Sequence, residues 1–334
     1  MDYVIHIING GAMKIKLLAI AVFVVIGISL LVGCGGSTSA DPTTTVLLYM
    51  EGTNLEAVDS QAKHNITEML SASSSPNLTV VLTTGAADKA ISTYDVKDWL
   101  TVRRYVMRDK KLVLVPNPVP NPVPNPGDKD MGDPLVLTDF IRWGQETYPA
   151  DRYILVFWDH GGGALGGYGG TTGDAYKGKP YYASNLTVNQ LKKAVEDAVG
   201  NDSKKKFELI GFDACLMATL EVADAFKDLS KYLVASEDLE PGAGWDWKAF
   251  LDYVASNPSA GGEAIGIKIA DSFYEKTQND PYATLSVVDL SMVPTIKNAL
   301  SSFALSQKSL IDTDDGVTAW FDLAIARSAS LDFN

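Results

Sequence analysis

Three short apolar runs restrict this chain more than any other feature: TVLLYM at residues 45–50, YILVFW at 153–158 and FELIGFD at 207–213. A strand that is apolar at nearly every position must be covered on both faces, the condition of a parallel sheet lying between layers of helices. The stretches between them carry helical patterns. One opens at Asp133-Pro134 and runs to about residue 146, a second spans about 187–199, and a third runs from about 216 to 228. Further strand patterns fall at 78–84, 102–107, 111–115, 232–236 and 283–289, with helices near 247–254 and 263–276 and two more helical stretches to the end. Arg108-Asp109-Lys110 separates two of the strands as a hairpin turn. The pattern predicts an α/β fold with a mainly parallel central sheet and helices on both faces, one domain over residues 45–334. Ligands of such sheets gather at the carboxyl ends of the strands.

What precedes residue 45 has another character. Residues 13–34 read MKIKLLAIAVFVVIGISLLVGC, two lysines followed by an apolar run that closes on Leu31-Val32-Gly33-Cys34. This is a secretory leader pattern, and its last four residues resemble a bacterial lipobox. Residues 1–33 are then a lipoprotein signal peptide, Cys34 carries the lipid, and residues 34–44 are a Gly/Ser/Thr linker. Gly35 is not the aspartate associated with inner-membrane retention, so the expected location is a lipid-anchored, exported one at the cell surface or outer membrane. Between 116 and 126 alternating prolines in an Asn-Pro-Val-Pro repeat read as an extended surface insertion.

A net charge of −13 excludes binding of nucleic acid through neutralised phosphates and favours cationic partners. With 2 cysteines and 3 histidines the chain has neither a disulfide framework nor a histidine-rich metal site. That scarcity makes placement informative. One strand runs into Asp159-His160-Gly161-Gly162-Gly163 and another into Asp213-Ala214-Cys215. In a parallel sheet both ends lie on one edge, where a thiol and an imidazole form a nucleophile and proton donor if the strands are neighbours. A small buried hydrophobe is the competing reading of Cys215.

Three motif matches fail on context. Residues 161–166 fit G-x-G-x-x-G, yet a turn-rich loop follows instead of a helix. Residues 173–179 fit G-x-x-x-x-G-K, but Pro180 stands where a hydroxyl would bind magnesium. His160 with its glycines matches an esterase oxyanion motif, but no G-x-S-x-G nucleophile turn exists in the chain.

The segments WDHGGG (158–163), IGFDACLMATLEVA (210–223) and ASEDLEPGAGWDW (235–247) resemble the clostripain family of cysteine peptidases, as do residues 46–56, 131–153 and 284–291. The resemblance covers most of residues 45–327 in order. It implies a caspase-like α/β sandwich and cleavage of proteins or peptides after arginine or lysine. The proline-rich arm departs from the pattern, and family members continue past the point where Asn334 ends this chain.

Carried over by motif, His160 is the catalytic histidine and Cys215 the nucleophile, with the Gly161 and Cys215 backbone N–H groups holding the oxyanion. A helix starting just after Cys215 would lower the thiol pKa. Asp213 becomes the floor of a pocket for a basic side chain, against the alternative that it caps the next helix; Ser236, Glu237 and Asp246 are candidates for the wall. Asp159 is read as a hydrogen-bonding strand-end residue. Self-cleavage is expected in the 171–206 region, at Lys177 or Lys179, of which Lys177 is preferred because Pro180 obstructs the other bond; solvated loop lysines are the plainer alternative. No cofactor is required, no metal site is assigned, and calcium is admitted by the acidic loops without a defined site. The rival function is a catalytically silent cell-surface binding protein that retains the fold.

Overall fold

The computed structural model describes residues 41–88, 96, 98–115, 129–170, 184–311 and 316–328. The leader, Cys34, the proline-rich arm at 116–126, and Lys177 and Lys179 lie outside the described residues.

Eight strands form one sheet: β1 (Thr44–Gly52), β2 (Leu78–Ala87), β3 (Arg103–Arg108), β4 (Lys111–Leu114), β5 (Arg152–Trp158), β6 (Phe207–Asp213), β7 (Ser230–Ala235) and β8 (Ser286–Asp289). Their order is β4-β3-β2-β1-β5-β6-β7-β8. The five central strands, β2-β1-β5-β6-β7, are mutually parallel, while β3, β4 and β8 complete the edges in antiparallel pairing. The apolar runs are the central strands, as their two-sided burial demands. Along β1 and β5 alternate side chains enter two separate cores: Leu47, Tyr49, Leu155 and Phe157 on one face, Val46, Leu48, Met50, Ile154 and Val156 on the other. Each fully buried aliphatic side chain of this kind contributes about 1.5–3 kcal/mol.

Helices cover both faces. On the first lie α3 (Pro134–Thr147), α5 (Val188–Val199) and α6 (Leu220–Phe226); on the second α2 (Gln61–Ser71), α7 (Trp247–Ser256) and α8 (Gly262–Lys276). Their starts are written in the sequence. Asp133 accepts from Leu135 N–H ahead of Pro134, and Thr187 and Gln190 form a reciprocal capping box for α5. Short helices α1 (Thr53–Ala57) and α4 (Gly163–Gly166) follow β1 and β5, and α9 (Val293–Ile311) and α10 (Gly316–Ser328) end the chain.

Four local expectations change. β1 begins at Thr44, inside the presumed linker, because Thr43 is already fixed by its N–H and hydroxyl on Asp151 at 2.8 and 2.9 Å. The helices over 53–71 leave little trace in the sequence: the first is only 5 residues long, and α2 buries Ala62, Ile66 and Met69 with the polar Asn65 among them. β8 starts at Ser286 rather than 283, and Thr284 lies in the loop before it with its hydroxyl 2.8 Å from that of Ser236. The helix expected from about 216 starts at Leu220, capped by Thr219.

Candidate active site

Met50 pairs with Trp158, and Trp158 with Asp213, so the ends of β1, β5 and β6 leave the sheet side by side. Two residues beyond that row stand His160 on β5's exit and Cys215 on β6's. The exits are in close contact: a Cβ at Gly161 would fall 2.0 Å from the Cys215 carbonyl oxygen and 3.1 Å from its nitrogen. Only glycine lets the chain after the histidine pass the peptide of the cysteine. Neither the Gly161 nor the Cys215 N–H donates to a backbone carbonyl among the described residues.

Cys215 is a free, half-buried thiol. Burial pushes its pKa up, with the charges of Asp213 and Asp238 adding to the rise, while a hydrogen bond from Glu240 N–H to Sγ, at 3.2 Å, opposes it. The helix N-terminus expected behind the thiol is absent. Residues 214–218 instead cross the sheet edge in a non-helical path, with Leu216 at φ 64° and the Leu216 and Ala218 N–H groups bonded to the carbonyls of Asp238 and Ser236. Those bonds lace the Cys215 segment to the loop that follows β7, and they replace the first turn of α6.

His160 is half-buried, and desolvation lowers its pKa, opposed by the charge of Asp88 at the end of β2. Its Nε2 lies 2.8 Å from Oδ1 of Asn54. Asp159, immediately before it, accepts from the Thr53 hydroxyl at 2.7 Å and is held well above the usual carboxylate range by burial, the strand-end role read from sequence. Glu51, near it in the core, is raised by burial in the same way.

Asp213 is 5% exposed. Its oxygens accept from Trp245 N–H at 3.1 Å and from the Trp247 indole N–H at 2.8 Å. Burial nevertheless holds its carboxyl at about 6. It does not cap α6, whose cap is Thr219. The segment Gly244-Trp245-Asp246-Trp247 is shaped around it: Gly244 has φ 58°, and a Cβ there would meet Asp213 Oδ1 at 2.5 Å. Glu240 stands beside Asp213. Both of its side-chain oxygens are sealed from solvent, and burial keeps it well above its ordinary pKa, with the Asp213 charge and a hydrogen bond to the Asp213 carboxylate adding to the rise and the Ala214 N–H opposing it. No lysine or arginine pairs with either acid among the described residues. Lys276 is nearest in effect, but its Nζ is committed to Glu68 at 2.8 Å and to the carbonyls of Ala243 and Trp245 at 3.0 and 2.9 Å.

The three wall candidates have other partners. Ser236 is buried, its hydroxyl bonded to the Asp238 carbonyl and to Thr284. Glu237 is exposed and accepts from the Ser286 hydroxyl. Asp246 caps α7 through Ala249 N–H at 2.8 Å. The structure thus brings His160, Gly161, Asp213 and Cys215 together and turns Ser236, Glu237 and Asp246 to the framework. Sequence reasoning missed Asn54 and Glu240. The first could have been found because β1, as a central parallel strand, ends on the same edge as β5; the second has no signal beyond being an acid in a loop. The described residues contain no cluster of three or more His, Cys, Asp or Glu side chains placed to hold a metal ion, and none of their helices is long and apolar enough to cross a membrane.

Residues 48–324 match the model of the Clostripain family. Clostripain of Hathewaya histolytica is 26% identical over 216 residues, which cover 54% of this chain and 39% of that protein. The chain thus spans well under half the length of this curated relative. Among solved structures, a secreted C11 cysteine protease from Bacteroides thetaiotaomicron in complex with an irreversible peptide inhibitor aligns with a TM-score of 0.54 at 18% identity, over 81% of this chain and 71% of that one. An inactive zymogen C11 protease from Parabacteroides distasonis aligns with a TM-score of 0.54 at 23% identity, over 77% of this chain and 64% of that one. At these identities the two structures establish the fold: the caspase-like α/β sandwich.

Proposed function

The chain belongs to the clostripain family of cysteine peptidases, and from that premise we propose that it is an exported endopeptidase that cuts proteins or peptides after arginine or lysine. Cys215 attacks the scissile carbonyl as thiolate, and His160 carries the proton to the departing amine. The N–H groups of Gly161 and Cys215 receive the oxyanion. The reaction needs no cofactor, and any calcium would act on structure rather than chemistry.

The basic specificity rests on one observation: the carboxyl groups of Asp213 and Glu240 are buried beside Cys215, and no lysine or arginine among the described residues pairs with either. Buried acids in that condition hold their protons or find a positive charge, and a guanidinium or ammonium from the substrate is that charge. The pair is shut off from solvent in the free protein, so entry of a basic side chain requires the 238–244 segment to move outward. The match of that positive charge with the buried Asp213 carboxylate supplies a driving force for the movement.

Export is supported by the leader pattern and by a relative described as secreted, and attachment would be through lipid on Cys34. Self-cleavage after Lys177 is a further part of the proposal; a relative described as an inactive zymogen supports it.

The test is hydrolysis of paired fluorogenic peptides ending in Arg, Lys, Asn or Asp, with Cys215→Ala as control. Release after Arg and Lys that vanishes in the variant is expected. Release confined to Asn or Asp would keep the nucleophile and sink the acid pocket. A folded protein that cuts none of them would instead be a binding protein that keeps the fold.

A further inference from the structure

Three strand ends meet at this edge, and the peptidase reading uses only two. Four residues beyond Met50, the last β1 residue paired with β5, α1 carries Asn54, whose Oδ1 lies 2.8 Å from His160 Nε2. An amide oxygen can only accept, so the imidazole donates from Nε2; a neutral ring then keeps its lone pair on Nδ1. One residue earlier on both segments, the Thr53 hydroxyl donates to Asp159 at 2.7 Å. Two successive bonds therefore tie the exit of β1 to the exit of β5. Thr53 makes this possible at a cost, since it adopts φ 39°, a left-handed conformation poorly suited to a β-branched residue, while bridging to Ala87, the last residue of β2.

We propose that Asn54 is a positioning residue for His160: it fixes the tautomer and the ring plane so that Nδ1 is the nitrogen that exchanges protons with the reacting groups. The inference rests on the peptidase reading of His160. In the sequence it implies, the thiol proton passes from Sγ to Nδ1, and the thiolate then forms the S–C bond while the carbonyl π pair moves onto the oxygen. The proton passes from Nδ1 to the amine nitrogen as the C–N bond breaks, leaving the acyl group on sulfur. Throughout, Nε2 keeps its proton on Asn54.

That the acceptor is an amide and not a carboxylate matters. The titratable groups around the ring are Asp88 from the end of β2, Asp159 with Glu51 behind it, and Cys215 on β6's exit; of these Asp88 already pulls the imidazole toward protonation against the effect of burial. A second carboxylate at position 54 would hold His160 charged and unable to accept the thiol proton, whereas the amide orients without adding charge.

The experiment uses the full chain with Asn54→Ala and Asn54→Asp, followed by kinetics on an arginyl peptide and by NMR titration of the 3 histidine ring protons, with His160→Gln to assign the signal. Asn54→Asp should raise the His160 midpoint by about one pH unit or more and carry the kcat/KM profile upward with it. Asn54→Ala should lower kcat by about 100-fold with KM unchanged. An unshifted His160 midpoint in Asn54→Asp, or wild-type kcat in Asn54→Ala, would overturn the assignment. Should the alanine variant fail to fold, the near-isosteric aspartate decides by itself. If the wild type cuts no peptide, the peptidase reading falls, while the titration still decides whether position 54 controls the ring.

Discussion

Replacing Asp213 by asparagine tests whether this edge of the sheet is short of a cation. Burial holds the Asp213 carboxyl at about 6 in the folded chain, against an ordinary value of 3.8. A rise of roughly two pH units at about 1.4 kcal/mol each makes the ionised side chain a burden of about 3 kcal/mol on the folded state. The folded chain keeps this proton between about pH 4 and 6 while the unfolded chain releases it. Asp213's contribution to stability is therefore fully present below about pH 4 and lost as pH rises through 6. Asparagine does not titrate. It retains an oxygen for Trp245 N–H but turns its amide toward the Trp247 indole N–H, a loss of about 1–3 kcal/mol that is the same at every pH. Urea denaturation of both proteins from pH 4 to 8 should show the wild type ahead at the acid end and that difference falling by about 2–3 kcal/mol, so that the two proteins meet or the variant leads near neutrality. A lead that does not change with pH would mean that Asp213 titrates as an exposed aspartate does. A lead that grows with pH would mean a resident cation, with Lys276 the nearest, and no vacancy for a substrate's charge. Either result refutes the reasoning behind the basic pocket.

Gly161→Ala puts a methyl 2.0 Å from the Cys215 carbonyl oxygen and must spread the β5 and β6 exits; kcat on an arginyl peptide should fall by about 100-fold in a protein whose circular dichroism is unchanged. Gly244→Ala combines φ 58° with a contact at 2.5 Å to Asp213 Oδ1, so urea denaturation should show a loss of about 1–3 kcal/mol. Because burial raises the Cys215 thiol, the pH profile of iodoacetamide alkylation in the free protein should have its midpoint above the value of about 8.5 usual for cysteine; a midpoint below it would contradict the half-buried placement. Glu240→Gln should raise KM for arginyl peptides while leaving that alkylation midpoint nearly in place, since the Glu240 N–H that reaches Sγ belongs to the backbone.

The central sheet was legible because its strands are buried on both faces, and unbroken apolar runs are the direct record of that burial. His160 and Cys215 were legible for a different reason: they are scarce residues at strand ends, and the register that pairs Trp158 with Asp213 brings them to one place. What stayed hidden depends on loop paths. The helix behind Cys215 was expected from the apolar spacing of residues 216–228, but the bonds from Leu216 and Ala218 to the loop after β7 lie across the fold and leave no local trace. The same loop decides the pocket. It turns Ser236 and Asp246 inward to framework bonds and Glu237 out to Ser286, while it seals Glu240 beside Asp213; position in the loop could not distinguish one acid from another.

Electrostatics joins the proposed pocket to Cys215. After burial, the Asp213 charge is one of the causes that raise the Cys215 thiol, and it adds to the burial that raises Glu240. In the free protein thiolate formation is therefore opposed from two directions, by desolvation and by the nearby acid. A guanidinium seated between Asp213 and Glu240 cancels the second of these and adds an attractive charge in a region of low dielectric, where such interactions are strongest. Binding of a basic side chain would then do more than hold the peptide: it would lower the cost of making the attacking species at the moment a scissile bond is in place. A peptide with a neutral side chain would meet the same Cys215 and His160 but a thiol that remains protonated. Selectivity of this kind falls on kcat as well as on KM, because the pocket's charge acts on the reacting atom itself.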